Sequence, residues 1–166
     1  MTPYLATFVR RWHTHPHLSH TVDPIGYHGG RMAILALDLF SNPSRDLLAA
    51  CVTHDLAESV TGDVPYDSPI KDHGIEECIL DNMDMSYDGG PELKFLDLLD
   101  SYLWARHHAP WLMDRKEWQD QREKILDLAS ELSVCLFQYQ LGGCDENSSI
   151  GRKRRHHWRT VHHGRV

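Results

Sequence analysis

Apolar residues recur at three- and four-residue spacing along nearly the whole 166-residue chain. No stretch shows the convincing apolar/polar alternation of a half-buried strand, and no Asn-Gly pair marks a hairpin. This pattern restricts the chain to helices packed on helices, an all-α fold in a compact bundle of about six helices. The periodicity predicts a first helix after Pro3 carrying Leu5, Phe8, Val9 and Trp12, then a His-, Thr- and Pro-rich loop over 13–24. A second helix is predicted from Ile25 to Phe40. Ser41-Asn42-Pro43-Ser44 stops it and caps a third, marked by Leu47, Leu48, Cys51, Val52 and Leu56 and ending near Ser59. Further helices are predicted over Ile70–Met83, Glu92–Ala109 and Arg115–Gln140, with Gly89-Gly90-Pro91 and Pro110 as breaks.

One domain is expected over residues 1–142, followed by a basic, His-rich tail over 143–166. With 41% hydrophobic and 25% charged residues, the body has the composition of a folded globular protein. The net charge of −7 is uneven, because six basic residues lie between Arg152 and Arg165, leaving 11 in residues 1–151 against 24 acids. A body so acidic repels nucleic acid, so any such contact falls to the tail. His156, His157, His162 and His163 add an alternative there, adventitious metal binding. The start lacks a signal peptide's layout and no apolar run is long enough to cross a bilayer, so a cytoplasmic protein is expected with no membrane partner. Cys51, Cys78, Cys135 and Cys144 form no C-x-x-C pair and are expected as reduced core thiols.

Four residues stand out within the apolar helical patterns: His28, the adjacent His54 and Asp55, and Asp100. Asp100 has Leu96, Leu103 and Trp104 on its helix face, where an unpaired carboxylate is costly. Each residue alone has an ordinary explanation. An inward His is commonly a hydrogen-bonded core residue, and an inward Asp commonly caps a helix or pairs with an arginine. Two imidazoles and two carboxylates together make a donor set for one divalent transition metal ion, Co, Mn, Zn, Fe or Ni, with Mg accompanying the substrate phosphates as a further option. Glu58 follows His54 by four residues, so a continued helix would project it to the same side as a proton carrier; its alternative is a solvent-facing helix-end acid.

His28, then His54-Asp55-Leu56-Ala57-Glu58, then Asp100 resembles the H…HDxxE…D signature of the HD-domain phosphohydrolases, over about Arg10 to Tyr102. Thr61-Gly62-Asp63-Val64-Pro65 and Lys71 resemble a stretch of the HD-type 5'-deoxynucleotidases. Arg11-Trp12 is similar to a pair that those enzymes place beside the substrate, and Arg11 to Pro16 is similar to phage members, among them dATP triphosphohydrolases of viruses with 2-aminoadenine genomes. The resemblance implies hydrolysis of the 5'-phosphoester of a deoxynucleotide, foremost dATP and dADP, to deoxyadenosine and inorganic triphosphate or diphosphate. It also implies a homo-oligomer. Where cellular relatives carry Ser and an apolar residue after the first ligand, this chain has Gly29-Gly30-Arg31, two glycines that lower helix propensity and allow close approach near the metal.

Beside that resemblance, the residues keep their own readings. Trp12 could stack on a purine, worth roughly 1–3 kcal/mol, or anchor the core. Arg11 could grip a phosphate or sugar oxygen through its planar fork, or be merely solvated. Lys71 is a candidate phosphate contact, with Lys94 behind it, while Asp63 could bind a metal, brace its loop or cap a turn. The loop holding His13, His15, His17 and His20 lacks a fixed ligand geometry and is expected to cover the nucleotide. Two competing functions remain: a 5'-deoxynucleotidase acting on monophosphates, and a non-catalytic scaffold binding nucleotide or nucleic acid.

Overall fold

The computed structural model describes residues 2–62 and 73–141. Its helices run in the order α1 (Pro3–Ala6), α2 (Ile25–Leu39), α3 (Arg45–Thr53), α4 (Glu58–Thr61), α5 (His73–Asn82), α6 (Gly90–His108) and α7 (Lys116–Glu131), with 3-10 turns at Pro110–Asp114 and Phe137–Tyr139. No strand occurs among the described residues beyond an isolated antiparallel bridge between Arg10 and Pro24. The all-α expectation therefore holds. No helix among the described residues is long and apolar enough to cross a membrane.

Helices α2, α3 and α6 pack on one another, and α7 closes over α6. Their shared core is built on Met32 and Leu35 from α2, Leu47 and Cys51 from α3, Phe95, Leu96 and Leu99 from α6, and Ile125 from α7. The Ser44 Oγ accepts a 3.0 Å hydrogen bond from the Leu47 amide and so caps α3. Pro91 sits in the first turn of α6, where its missing N–H costs nothing. Gly29 packs directly against the backbone of α3. A Cβ there would lie 2.8 Å from the Cys51 carbonyl oxygen and 3.0 Å from the Val52 Cα. Only glycine lets the two backbones meet at that spacing.

Four expectations need correction. The first helix stops at Ala6 rather than reaching Trp12, and Leu5 and Phe8 are exposed. Residues 7–11 instead run alongside the start of α2, where the carbonyls of Val9 and Thr7 accept from the Ile25 and Gly26 amides, both at 2.9 Å. Those bonds satisfy amides that α2 cannot pair internally. The third helix ends at Thr53, and residues 54–57 form tight turns in which Leu56 N bonds Thr53 O and Glu58 N bonds Asp55 O. The last long helix ends at Glu131, not Gln140: Ser133 adopts φ 55°, Val134 N bonds Ala129 O at 2.7 Å and Ser133 N bonds Ser130 O at 3.1 Å. That pair of reversed bonds is a Schellman ending. Cys135 therefore lies past α7 and is disulfide-bonded, and exposed Cys78 is no core thiol; buried Cys51 alone fits that description among the described cysteines.

Candidate metal centre

His28 lies one turn into α2 and is fully buried. Its Nδ1 donates to Asp100 Oδ2 at 2.7 Å, which turns Nε2 the other way. Around Nε2 stand Asp97 Oδ1 at 3.4 Å and Asp55 Oδ2 at 3.6 Å. His54, the residue that follows α3 at its C-terminal cap, brings its ring to 5.3 Å from that of His28, and its Nε2 lies 3.1 Å from Asp55 Oδ1. One ligand atom from each of His28, His54 and Asp55 falls within 4.8 Å of the others. Ligands held about 2.1 Å from a shared ion are themselves separated by no more than about 4.2 Å, so a small contraction would bring this trio onto one.

Asp100, expected as the fourth ligand, is not in that position. Both its oxygens are engaged on the far side of His28: Oδ2 by His28, and Oδ1 and Oδ2 by the Arg31 Nε and Nη2, each at 2.8 Å. The ordinary alternative for an inward aspartate, pairing with an arginine, is what the structure shows. Asp97, one turn earlier on α6, faces Nε2 instead. The sequence reading missed it because residues three apart share a helix face, and spacing alone does not say which carboxylate is aimed at His28. Burial opposes ionisation of Asp97, yet His28, His54 and Arg11 outweigh it and hold the carboxyl far below the usual range. The pKa of His28 is raised: burial and Arg11 oppose its charge, and Asp100, Asp97 and Asp55 prevail.

Arg11 is buried rather than solvated, and the exposed member of the Arg-Arg pair is Arg10, which bonds the Ser19 and Thr21 carbonyls. The Arg11 guanidinium lies 3.6 Å from Asp23, 3.7 Å from Asp55 and Asp97 and 3.9 Å from Asp100, and donates to Ser101 Oγ at 3.2 Å. These are loose contacts, and Nη1 is buried without a hydrogen-bond acceptor. Trp12 sits in the loop with φ 65°, its Nε1 donating to Asp23 Oδ2 at 3.0 Å. Its ring is 6.3 Å from that of Trp118 and 5.7 Å from that of His15.

Glu58 opens α4 and is buried, not solvent-facing. Lys94, ranked behind Lys71 from sequence, reaches Asp97 Oδ2 at 3.6 Å and so stands at the rim of the cluster. Asp63, Lys71 and the tail lie outside the described residues. Comparison of the chain with models of protein families, with curated proteins and with solved structures finds no match.

The donor set fits a metal on the structure's own terms. Nε2 of His28 and both ring nitrogens of His54 are buried with no hydrogen-bond partner. Buried polar atoms are rarely left so, and an ion that accepts imidazole lone pairs would satisfy two of them at once. The sequence reading also passed over Asp23 and Arg31. Asp23 is fully buried, and Arg31 lies one turn after His28 on α2. An arginine three residues from an inward histidine was the available signal.

Proposed function

We propose that this protein is a metal-dependent phosphohydrolase acting on the 5'-phosphoester of a deoxynucleotide, with dATP and dADP as preferred substrates. The observation that carries the metal half of this reading is the convergence of His28, His54 and Asp55 around unsatisfied imidazole nitrogens. Asp97 joins them as the carboxylate nearest His28 Nε2. With Asp97 in the last place, the order of residues still resembles the HD-domain signature, and that resemblance supplies the substrate class.

His28, His54, Asp55 and Asp97 would hold one divalent transition metal ion. Such an ion supplies positive charge to a phosphate oxygen and lowers the pKa of water beside it. Glu58, buried four residues after His54, would orient the attacking water or take its proton. The guanidinium of Arg11, surrounded by carboxylates at 3.6 Å or more, would turn a donor toward an incoming phosphate oxygen. Trp12 and His15 would wall the base side, and the ammonium of Lys94 would offset phosphate charge at the rim.

The test is incubation with dATP and, separately, with dAMP, each with Co2+ or Mn2+, and identification of the products. Deoxyadenosine with inorganic triphosphate is the expected result. Orthophosphate released from dAMP, with dATP left intact, would establish the 5'-deoxynucleotidase in its place. A protein that binds metal and nucleotide yet hydrolyses neither dATP nor dAMP would be a binding scaffold.

A further inference from the structure

We propose that Arg31 and Asp23 are positioning residues that jointly orient the metal-facing imidazole of His28 and the indole of Trp12. The proposal rests on the metal reading above and assigns to that site a supporting layer absent from the sequence reading. Five groups form one continuous chain of charge-assisted hydrogen bonds. His28 Nδ1 donates to Asp100 Oδ2 at 2.7 Å. Arg31 holds both oxygens of Asp100 at 2.8 Å with Nε and Nη2. The same guanidinium reaches Asp23 with Nη1 at 2.8 Å and Nη2 at 3.1 Å. Asp23 Oδ2 then accepts from Trp12 Nε1 at 3.0 Å.

Two features make Arg31 a fixed brace rather than a floating counter-ion. Its guanidinium lies 4.3 Å from the centre of the Trp104 ring, which adds a cation–π restraint to the two carboxylate forks. It also uses the fork geometry that a lysine lacks, since each aspartate is gripped by two nitrogens. With Asp100 clamped, the proton on the outer nitrogen of His28 is fixed there and the ring plane is set, so Nε2 stays aimed at Asp55 and Asp97. A partner of this type on a metal-ligating histidine typically accounts for 10- to 100-fold in metal affinity.

Asp23 has a second duty. It is fully buried between Arg31 and the loop, and its carbonyl accepts from the Arg11 amide at 2.9 Å while its carboxylate accepts from the Trp12 indole. Trp12 occupies φ 65°, a conformation that costs a non-glycine residue free energy and needs surrounding contacts to persist. Asp23 provides one of them, the hydrogen bond to the indole. The wall proposed for the base and the ligand proposed for the metal are thereby set by one carboxylate.

The decisive experiment uses the sign of an electrostatic effect. Co2+ is titrated into the full-length wild type, Arg31→Gln, Arg31→Lys and, as a control for an acid on the same helix that faces Tyr139, Asp38→Asn. Removing a positive charge beside a cation site tightens binding by Coulomb's law alone. Positioning demands the opposite, so Arg31→Gln is expected to weaken Co2+ binding about 10- to 100-fold. Arg31→Lys keeps the charge that the two aspartates need for folding but loses the fork, and a smaller loss is expected. Asp38→Asn is expected to match wild type. Asp23→Asn is expected to raise acrylamide quenching of the Trp12 emission, isolated by difference from Trp12→Phe. Wild type that takes up no Co2+ overturns the metal reading and this proposal together. Wild type that binds Co2+ in a way that His54→Ala abolishes, with Arg31→Gln and Arg31→Lys binding as tightly or more tightly, overturns this proposal alone, as does unaltered Trp12 quenching in Asp23→Asn; uptake that survives in His54→Ala overturns the metal reading as well.

Discussion

Asp97 and Asp100 stand one turn apart on α6 on opposite sides of the same imidazole, Asp100 bonding Nδ1 at 2.7 Å and Asp97 standing 3.4 Å from Nε2, so substituting them has different consequences. Asp97→Ala removes a group that faces the ion and is expected to weaken Co2+ binding about 100-fold or more, whereas Asp100→Asn keeps an acceptor for His28 and is expected to lose about 10- to 100-fold. Calorimetric titration of the two variants side by side checks the order, and equal losses would return Asp100 to the ligand set. A second residue-scale expectation lies away from the site. The phenol of Tyr139 donates to Asp38 Oδ2 at 2.6 Å, and burial together with that carboxylate pushes its pKa up to about 12 from an ordinary 10.0. Because the folded state holds this proton more tightly than the unfolded state, its contribution to stability is complete below pH 10.0 and is lost as pH rises toward about 12. Phenolate absorbance should show a late-titrating component in wild type that is missing in Tyr139→Phe. The residue types of the site were legible in the chain, since His28, His54 and Asp55 converge as expected. Their partners were not. Which of two carboxylates on one helix face meets His28, and that Arg11 is buried among aspartates rather than solvated, depends on how α6 is rotated against α2, and rotation leaves no mark on the spacing.

At the scale of the elements, two consecutive glycines in α2 behave oppositely. A Cβ on Gly29 would collide with the α3 backbone at 2.8 Å, while one on Gly30 would meet nothing within 4 Å. Gly29→Ala is expected to destabilise the protein by about 1–3 kcal/mol through overpacking and, by forcing α2 off α3, to separate His28 from His54 and weaken metal binding. Gly30→Ala is expected to stabilise it by roughly 0.5–1 kcal/mol, because alanine loses less backbone freedom in a helix and nothing opposes it. Urea unfolding of both variants measures the difference, and a stabilised Gly29→Ala would show that the helices can part without cost. The close approach anticipated for this pair belongs to Gly29 alone. Helix α2 itself was legible to within a residue, because its buried positions keep a single period from Ile25 to Ala36. The ends of α1, α3 and α7 were not, since each is fixed by a backbone bond to something the periodicity does not encode: the start of α2 for the first, a tightened turn for the second and a left-handed Ser133 for the third.

For the molecule as a whole, the proposed ligands come from separate parts of the chain: α2, the end of α3 and the turn after it, and α6. The same place brings Asp23, Asp55, Asp97 and Asp100 together around Arg11, with Arg31 answering two of them. A divalent cation would relieve that crowding and join the helices that form the core, so its binding and folding would be linked. An ion that binds only the folded chain stabilises it by about 2.7 kcal/mol at a hundredfold excess over Kd. For a chain of this size each kcal/mol moves the melting midpoint by roughly 2–4 °C, so Co2+ at that excess should raise Tm by about 5–10 °C, and EDTA should reverse the rise. The decisive comparison is Asp97→Ala, followed by circular dichroism with and without Co2+. Its midpoint should be insensitive to the ion if the ion sits between the helices, because the carboxylate nearest His28 Nε2 is then missing. A rise that survives both in Asp97→Ala and in His54→Ala would instead place the ion at histidines outside the cluster, such as those of the loop over 13–20 or the tail, and would detach the metal from the helix packing that gives the proposed site its shape.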